Sequence, residues 1–338
     1  MIGKSPNLRD VAKAAGVSVA TASLALRNHA SIPEATRKRV RKAAAAVDYR
    51  PNPRVGELMS HVRQNRALDQ LKESVALYWA DLGEPEVRKR PYLEDFEAGA
   101  RESLQASGYG LTCFYQDAER SPAQLEKMLA ARGVRGLLLA PLMRSTRCEL
   151  DWDWRNFSAI IAGSALWSPH FNRVQFHHFA EMGIILDHLK AKGWEKIGLV
   201  IDSLLEERSQ HAILGGFYGA LDPDLPRRAA CFEAEADDRA AFLSWLNGFR
   251  PDALIVAYPK ALEWIEEAEA SPHIVLRAVQ EGPEGCAYPG INQSYRRLGQ
   301  TAAYQLVGQL QRNEVGVSEQ PLQSLIIGDW VDSEYSED

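Results

Sequence analysis

The sequence predicts a multidomain protein: a small all-α head containing a helix-turn-helix, joined to an α/β core of two lobes. Three observations carry this reading. The first fifty residues hold two short helical patterns separated by only three or four residues. The first 66 residues carry 13 Lys or Arg against 4 Asp or Glu, a net of +9, whereas the remainder of the chain nets −15. From about residue 73 onward, strand-length apolar runs alternate with helical periodicity, and that alternation runs through twice.

In the head, Leu8, Val11, Ala12 and Ala15 recur at i, i+3, i+4 and i+7, which puts them on one helix face. Asn7 is placed to cap this helix, Asp10 lies in its first turn where the macrodipole favours an acid, and Gly16 stops it. Ser18 then offers an oxygen to cap a second helix starting at Val19. On that helix Ala22, Ala25 and Leu26 suit the side facing the first helix, leaving Val19, Ala20, Ser23, Leu24 and Arg27 outward. A third helix over 34–47 carries Arg37, Lys38, Arg39, Arg41 and Lys42, with Ala35, Val40, Ala43, Ala44 and Val47 to close a three-helix core. Any small helical hairpin shares part of this pattern. A cationic head on an acidic body is harder to explain by solubility, and it suits contacts to nucleic-acid phosphates. A recognition helix enters the major groove by its N-terminal end, so residues 18–23 are expected nearest the bases.

The 338 residues, 46% hydrophobic, supply ample material for a large core. No signal-type segment and no bilayer-spanning run is present, so a cytoplasmic chain with no membrane partner is expected. Cys113, Cys148, Cys231 and Cys286 are scattered without a Cys-x-x-Cys pair, which favours buried thiols over a zinc site or a disulfide framework.

In the core, strands are expected over 75–79, 111–115, 136–141 and 159–162, with helices over 92–107 and 123–131 between them. The pattern then restarts: helix 181–192, strand 196–201, helices 211–221 and 240–249, strand 253–257. A late helix over 304–311 and a strand over 325–327 precede an acidic tail. Two α/β sets in tandem imply two Rossmann-like lobes. Ligands of open α/β sheets sit beyond the carboxyl ends of strands, which between two lobes is the cleft. Candidates there are Trp79, Asp81, Tyr115, Trp167, His177 with His178, Arg208, and Gln280 with Glu281. His177 and His178, adjacent in a strand, would point to opposite faces and could not share an ion, so no metal is expected, and no cofactor. The nucleotide and nucleophile signatures G-x-G-x-x-G after residues 75–79, G-x-x-x-x-G-K-[ST] and G-x-S-x-G are absent, which argues against an enzyme.

Asp10-Val11-Ala12-Lys13-Ala14-Ala15-Gly16-Val17-Ser18, Glu34-Ala35-Thr36-Arg37 and Asp48-Tyr49-Arg50-Pro51-Asn52 together resemble the headpiece of the lactose-repressor (LacI/GalR) family of bacterial transcription regulators. The resemblance implies a sequence-specific regulator, a repressor by expectation, that binds a palindromic operator as a homodimer. It also implies a hinge helix after the Tyr-x-Pro-Asn motif, whose matching minor-groove wedge is Leu58. Carried over position by position, the DNA-contacting set is Asn7, Arg9, Ser18, Val19, Ala20, Thr21, Ser23, Leu24, Arg27, Asn28, Thr36, Arg54 and Leu58. Two departures stand out: Leu24 replaces an Arg common in relatives, and Val19-Ala20 replaces more polar base-reading pairs. Small apolar side chains touch thymine methyls but cannot pair bidentately with guanine, so an unusual operator is expected. Gly56 and Glu57 weaken the hinge.

The body resembles the family's effector-binding core, itself similar to periplasmic sugar-binding proteins, through Met182-Gly183-Ile184-Ile185-Leu186-Asp187-His188-Leu189 and through Pro289-Gly290-Ile291-Asn292-Gln293. That resemblance implies a headpiece over 1–50, a hinge and linker over 51–72, and a core over 73–338. Lobe 1 is expected over about 74–163 and 292–323, and lobe 2 over about 164–291 and 324–338. It also implies a small-molecule effector, carbohydrate-derived in the sugar-binding relatives. Yet all three polar anchors of those relatives change here: His177 stands at an Asp position, Ile213 at an Arg position, and the region of Gln280 and Glu281 replaces an Asp. A simple hexose is therefore not assumed. The acidic end of the chain has no leucine heptads for a tetramerising coiled coil. Two other classes stay open: a cytoplasmic small-molecule sensor whose DNA binding is vestigial, and an α/β enzyme.

Overall fold

The computed structural model describes residues 8–26, 29, 31–47, 73–117, 120–221, 230–235, 238–279 and 287–333. The expected roles of Asn7, Arg27, Asn28, Arg54, Leu58, Gln280 and Glu281 lie outside the described residues, as do Cys286 and the hinge.

The head is three helices, α1 (Leu8–Ala15), α2 (Val19–Leu26) and α3 (Glu34–Ala46). Their apolar faces meet in a core of Val11, Ala12, Ala15, Ala22, Ala25, Ile32, Val40, Ala43 and Ala44. Gly16 makes the first turn at φ +62°, a conformation that only glycine adopts without a Cβ penalty. Two details depart from expectation. Ala35 is exposed in the first turn of α3, and Leu24 is half-buried, packing against the head core because its neighbours Val17 and Leu26 leave an apolar recess there.

The first lobe begins with β1 (Glu73–Trp79), the short α4 (Glu84–Arg88), α5 (Pro91–Ala106), β2 (Tyr109–Tyr115), α6 (Pro122–Ala131) and β3 (Gly136–Leu139). A short β4 (Arg147–Glu149) pairs with β6 (Leu166–Ser168) in a two-stranded sheet, on either side of β5 (Ser158–Ala162) in the chain. Next comes β7 (Asn172–Phe176), where the chain leaves for the second lobe. That lobe contains α7 (His178–Ala191), β8 (Ile197–Asp202), α8 (Ser203–Arg208), α9 (Ala212–Ala220), β9 (Cys231–Ala234) and α10 (Arg239–Phe249). It continues with β10 (Ala253–Val256), α11 (Ala261–Ile265), β11 (His273–Val279) and β12 (Gly290–Asn292). The chain returns to the first lobe in α12 (Tyr295–Arg312) and β13 (Gln323–Ile326), and ends in the second at β14 (Asp329–Val331).

The first sheet runs β13-β7-β5-β3-β1-β2, parallel throughout, and the second runs β14-β12-β11-β10-β8-β9 with only the β12–β14 pair antiparallel. Three strands sit opposite to the expected lobe boundaries: β6 pairs with β4 of the first lobe, and β7 and β13 join the first sheet. β7 and β13 pair with one another in the first sheet, from Arg173 beside Gln323 to Phe176 beside Ile326, rather than in lobe 2. Their alternation of apolar residues is compatible with either sheet; pairing with the edge of β5 decides it. The late helix also starts nine residues earlier than expected, at Tyr295, because Ser294 caps it by accepting from the Arg297 N–H at 3.2 Å.

The chain therefore crosses between lobes three times, after Phe176, after Asn292 and after Ile326, and one carboxylate ties the crossings together. Glu181, fully buried in α7, accepts from the Gly328 N–H (3.1 Å) at the third crossing and from Gln293 Nε2 at the second. It also faces His178 Nδ1 (3.5 Å) at the first crossing and Arg277 Nη1 (3.9 Å) on β11. Arg277 donates in turn to Gln293 Oε1 at 3.4 Å. Burial alone would raise the Glu181 carboxyl, but His178, Arg277 and Gln293 together hold it below the usual carboxylate range. Burial, with Arg277 adding to it, holds His178 below the usual imidazole value, so this ring is neutral.

Two glycines set the wall beside these crossings. A Cβ on Gly99 of α5 would stand 2.1 Å from the Arg296 carbonyl oxygen, and one on Gly299 of α12 would stand 2.1 Å from that of Phe96. The helices thus pack backbone to backbone, and their N-terminal tyrosines, Tyr92 and Tyr295, meet with ring centroids 4.8 Å apart.

Gly299→Ala is expected to cost about 1–3 kcal/mol by overpacking, seen as a lower denaturation midpoint. Glu181→Gln, which leaves Arg277 buried without its counter-charge, is expected to cost about 3–5 kcal/mol at neutral pH. Both titrations act in one direction. The depressed carboxyl contributes stability above its ordinary value that is lost on acidification, and the depressed imidazole favours an unfolded chain that protonates first. The melting temperature is expected to fall as pH drops through the ordinary imidazole value and again below the ordinary carboxylate value, the lower step disappearing in Glu181→Gln.

Candidate DNA-binding head and interlobe cleft

The turn between α1 and α2 is fixed by Ser18, whose Oγ accepts from the Thr21 N–H (3.0 Å) and lies 2.8 Å from the Thr21 hydroxyl. Ser18 and Val19 are exposed, Val19 at 42%. Thr21 and Ser23 are half-buried beside them. Arg9 and Ala20 take helical positions in α1 and α2. On α3, Thr36 lies half-buried in the first turn, while Lys38, Arg39, Arg41 and Lys42 are exposed. Lys38 bonds Glu34 at 3.1 Å across one turn and holds that carboxyl below its ordinary value. The arrangement presents a small-residue helix end flanked by cations, a surface suited to a polyanionic groove.

In the core, the expected cleft residues divide by what each side chain touches. Trp79 is fully buried, and its Nε1–H donates to Glu97 Oε1 at 2.9 Å, so it belongs to the first-lobe core and not to the cleft. Tyr115 donates to the same oxygen at 3.0 Å, and Arg88 Nη1 reaches Glu97 Oε2 at 2.8 Å. Three donors on one buried carboxylate make this a structural knot. Burial and nearby Cys113 and Glu97 push the Tyr115 hydroxyl up, so it stays protonated. Trp167 is buried among aromatic side chains, its indole nitrogen without a partner among the described residues.

Asp81 serves the cleft rim indirectly. Its Oδ2 accepts from the N–H groups of Met143 (2.8 Å), Arg144 (2.7 Å) and Ser145 (3.0 Å), which folds the loop after β3 over the strand ends. Arg173 does the same for the next loop, donating to the carbonyls of Gly163, Ser164 and Ala165 at 2.7–3.3 Å. Burial lowers its pKa to about 10. His177 is not a strand residue: it caps α7, its Nδ1 accepting from the Ala180 N–H at 3.3 Å, and His178 opens the helix. The two imidazoles diverge because the chain turns there, not because of strand alternation.

Arg208 is the expected residue that does reach the cleft. From the end of α8 its Nη1 donates to the Met143 carbonyl of the other lobe at 2.5 Å, and nearby Gln210 donates to the Ser164 carbonyl at 2.5 Å. Its charge acts on Tyr92, Tyr295, His178 and Arg277 together. The aromatic row Tyr92, Tyr295, Phe176, His178, with successive centroids 4.8, 5.2 and 6.3 Å apart, therefore lines one side of it. Burial pushes the Tyr295 hydroxyl up to about 12.

Sequence reasoning missed Glu181, Arg277, Gln293, Glu97 and the tyrosine pair. A signal existed for one of them: Arg277 interrupts the apolar run His273–Val279, and a charge inside a buried strand demands a partner. The cysteines at 113, 148 and 231 are half-buried and not disulfide-bonded, and burial pushes their thiols up to about 11, 11 and 12, which removes thiolate reactivity near neutral pH.

The sequence profile described as "Bacterial regulatory proteins, lacI family" matches residues 7–52. The uncharacterized HTH-type transcriptional regulator YkvZ of Bacillus subtilis is 26% identical over 58% of this chain and 55% of that protein. The HTH-type transcriptional regulator MalR of Streptococcus pneumoniae is 41% identical over 71 residues, 21% of this chain and 22% of that one. The chain thus spans little over half the length of the first of these relatives. Among solved structures, the transcriptional regulator CelR in complex with cellobiose superposes with a TM-score of 0.56 at 17% identity, covering 96% of this chain and 98% of that chain. The lac repressor dimer bound to operator and the anti-inducer ONPF gives 0.54 at 21% identity, covering 97% and 98%. At these identities the structures speak for the fold, a helix-turn-helix followed by a two-lobed, periplasmic-binding-protein-like α/β core. Residues 7–52 thus carry the sequence pattern of the lacI family of bacterial regulatory proteins.

Proposed function

We propose that the protein is a sequence-specific transcriptional regulator, acting as a repressor, that binds a palindromic operator as a homodimer and responds to a small molecule in the cleft between its lobes. The observation that carries this is the head: a capped helix-turn-helix whose exposed α2 terminus, Ser18 and Val19, is flanked by the cationic face of α3. The lac repressor likeness is to a dimer on operator, and the CelR likeness is to a cellobiose complex. Both supply analogies for assembly and for the place of an effector. A two-fold dimer reads two half-sites, so half-site spacing follows from the protein's symmetry.

Small residues at 18–23 favour readout through thymine methyls and groove shape over guanine pairing. The ligand acts on DNA binding only through its difference in affinity for the DNA-competent and incompetent states. This ties the cleft to the head without requiring contact between them. A sensor with vestigial DNA binding is the second reading, and affinity for DNA separates the two.

Fluorescence anisotropy of the full chain on labelled upstream DNA, over a salt series, is expected to show palindrome-selective binding that weakens by about 10³-fold or more between 50 and 200 mM salt if about six phosphates are contacted. Weak binding indifferent to sequence would favour the sensor reading. Leu58→Ala, at the position the family pattern assigns to the minor-groove wedge, is expected to lose operator affinity about tenfold or more while leaving random-DNA binding within about twofold. Equal loss on both would remove the wedge role.

A further inference from the structure

Among the described residues, the interlobe cleft contains two arginines with no carboxylate partner. Arg90, just before α5 in the first lobe, donates Nη1 to the Glu86 carbonyl at 2.7 Å and stands within hydrogen-bonding reach of Tyr92. Arg208, from the second lobe, donates to the Met143 carbonyl and acts on the same tyrosine. Among the described residues neither guanidinium has a carboxylate within 4.0 Å, whereas Arg88, Arg144 and Arg277 nearby each have one. Of the carboxylates described in the region, Glu181 bonds the crossings, Asp81 Oδ2 holds three N–H groups while its buried Oδ1 is left without a partner among the described residues, and the half-buried Asp202 accepts through Oδ1 from the Leu205 N–H at 2.8 Å.

Among the described residues, the free hydrogen-bonding capacity near the cleft is thus mostly donor, with Asp81 Oδ1 the acceptor left over. Each guanidinium offers five N–H groups in a planar fork, matched to the paired oxygens of a carboxylate or phosphate. A neutral sugar needs acceptors for its hydroxyl protons, and unpaired hydroxyls inside a closed cleft are costly. The side chains between the two arginines, Tyr92 and Tyr295, add an aromatic platform with hydroxyls that stay protonated and donate.

We infer that the cleft ligand is a small organic anion, held by Arg90 from the first lobe and Arg208 from the second, with its uncharged part against Tyr92 and Tyr295. This rests on the reading of the cleft as the effector site. An anion there neutralises two cations from opposite lobes at once, so it binds the closed arrangement better than the open one. Carboxylate and phosphate share the fork geometry, and the choice between them falls to experiment.

The test is isothermal titration of the full chain with citrate, 4-hydroxybenzoate and glucose 6-phosphate, each beside a neutral counterpart: glycerol, 4-hydroxybenzyl alcohol and glucose. At least one anion is expected to bind at least tenfold more tightly than its counterpart; citrate or 4-hydroxybenzoate would identify a carboxylate ligand, and glucose 6-phosphate a phosphate one. Arg208→Gln and Arg90→Gln are each expected to weaken that anion about tenfold or more, with Arg208→Lys recovering only part because the fork is lost. Unchanged melting temperatures, and DNA affinity measured on the same preparations, separate a lost ligand site from a lost fold. Binding of a neutral compound as tight as its anion, binding indifferent to both substitutions, or no anion binding by a chain that still binds DNA would overturn the inference. A chain that binds the anion but no DNA would leave the ligand assignment standing and overturn the regulator reading instead.

Discussion

The arrangement of the two lobes depends on a single buried carboxylate. A chain that enters, leaves and re-enters each lobe must cross between them three times, and each crossing takes backbone and side-chain polar groups out of water. Such groups need partners where they are buried. Glu181 supplies the partner for all three: the His178 ring at the first crossing, the Gln293 amide at the second, the Gly328 N–H at the third. Arg277 closes the set from the neighbouring strand. The network therefore does more than balance charge. It fixes the mutual position of two strand-to-helix junctions and one strand-to-strand junction that share no sequence neighbourhood.

The cleft walls follow the same economy of buried polar groups. Asp81 and Arg173 touch no ligand position, yet each gathers three backbone groups and so shapes the loops at 143–145 and 163–165. Those loops present the carbonyls of Met143 and Ser164 to Arg208 and Gln210 of the other lobe. The close approach of α5 and α12 at Gly99 and Gly299 aligns the tyrosines on the remaining side. Specificity here is a product of supports that are themselves out of reach.

Much of this architecture was legible in the sequence, and the illegible part has a physical cause. The head could be read because its determinants are local: the spacing of Val11, Ala12 and Ala15, the stop at Gly16 and the cap at Ser18 all act within one or two turns. The alternation of strands and helices was equally clear, since parallel strands buried on both faces read as apolar runs. Which strand joins which sheet was not, because β7 and β13 carry no mark of their partner, and pairing is decided by residues 150 positions apart. Tertiary pairing also hid the cleft. Trp79 and Tyr115 lie at strand ends as a ligand-binding residue would, but Glu97, on α5 between them in the chain, turns them into core donors. Arg208 reaches the cleft because it ends α8 and donates across the gap to the Met143 carbonyl.

Charge is distributed on two scales, and both bear on function. Across the chain, the head is strongly cationic and the remainder acidic, so a polyanion is drawn to one end and repelled by the other. Within the acidic core, a small cationic spot survives between the lobes at Arg90 and Arg208, where neither arginine has a carboxylate within 4.0 Å among the described residues. Desolvating two guanidiniums beside aromatic rings without a counter-ion is unfavourable, and the cost rises as the lobes approach. An anion held as proposed would offset that cost for an arginine of each lobe at once, beside the bonds that Arg208 and Gln210 already make to the Met143 and Ser164 carbonyls across the gap. A ligand of that class would need no mechanical link to bias the lobes, because its effect on the equilibrium is set by its difference in affinity between their arrangements.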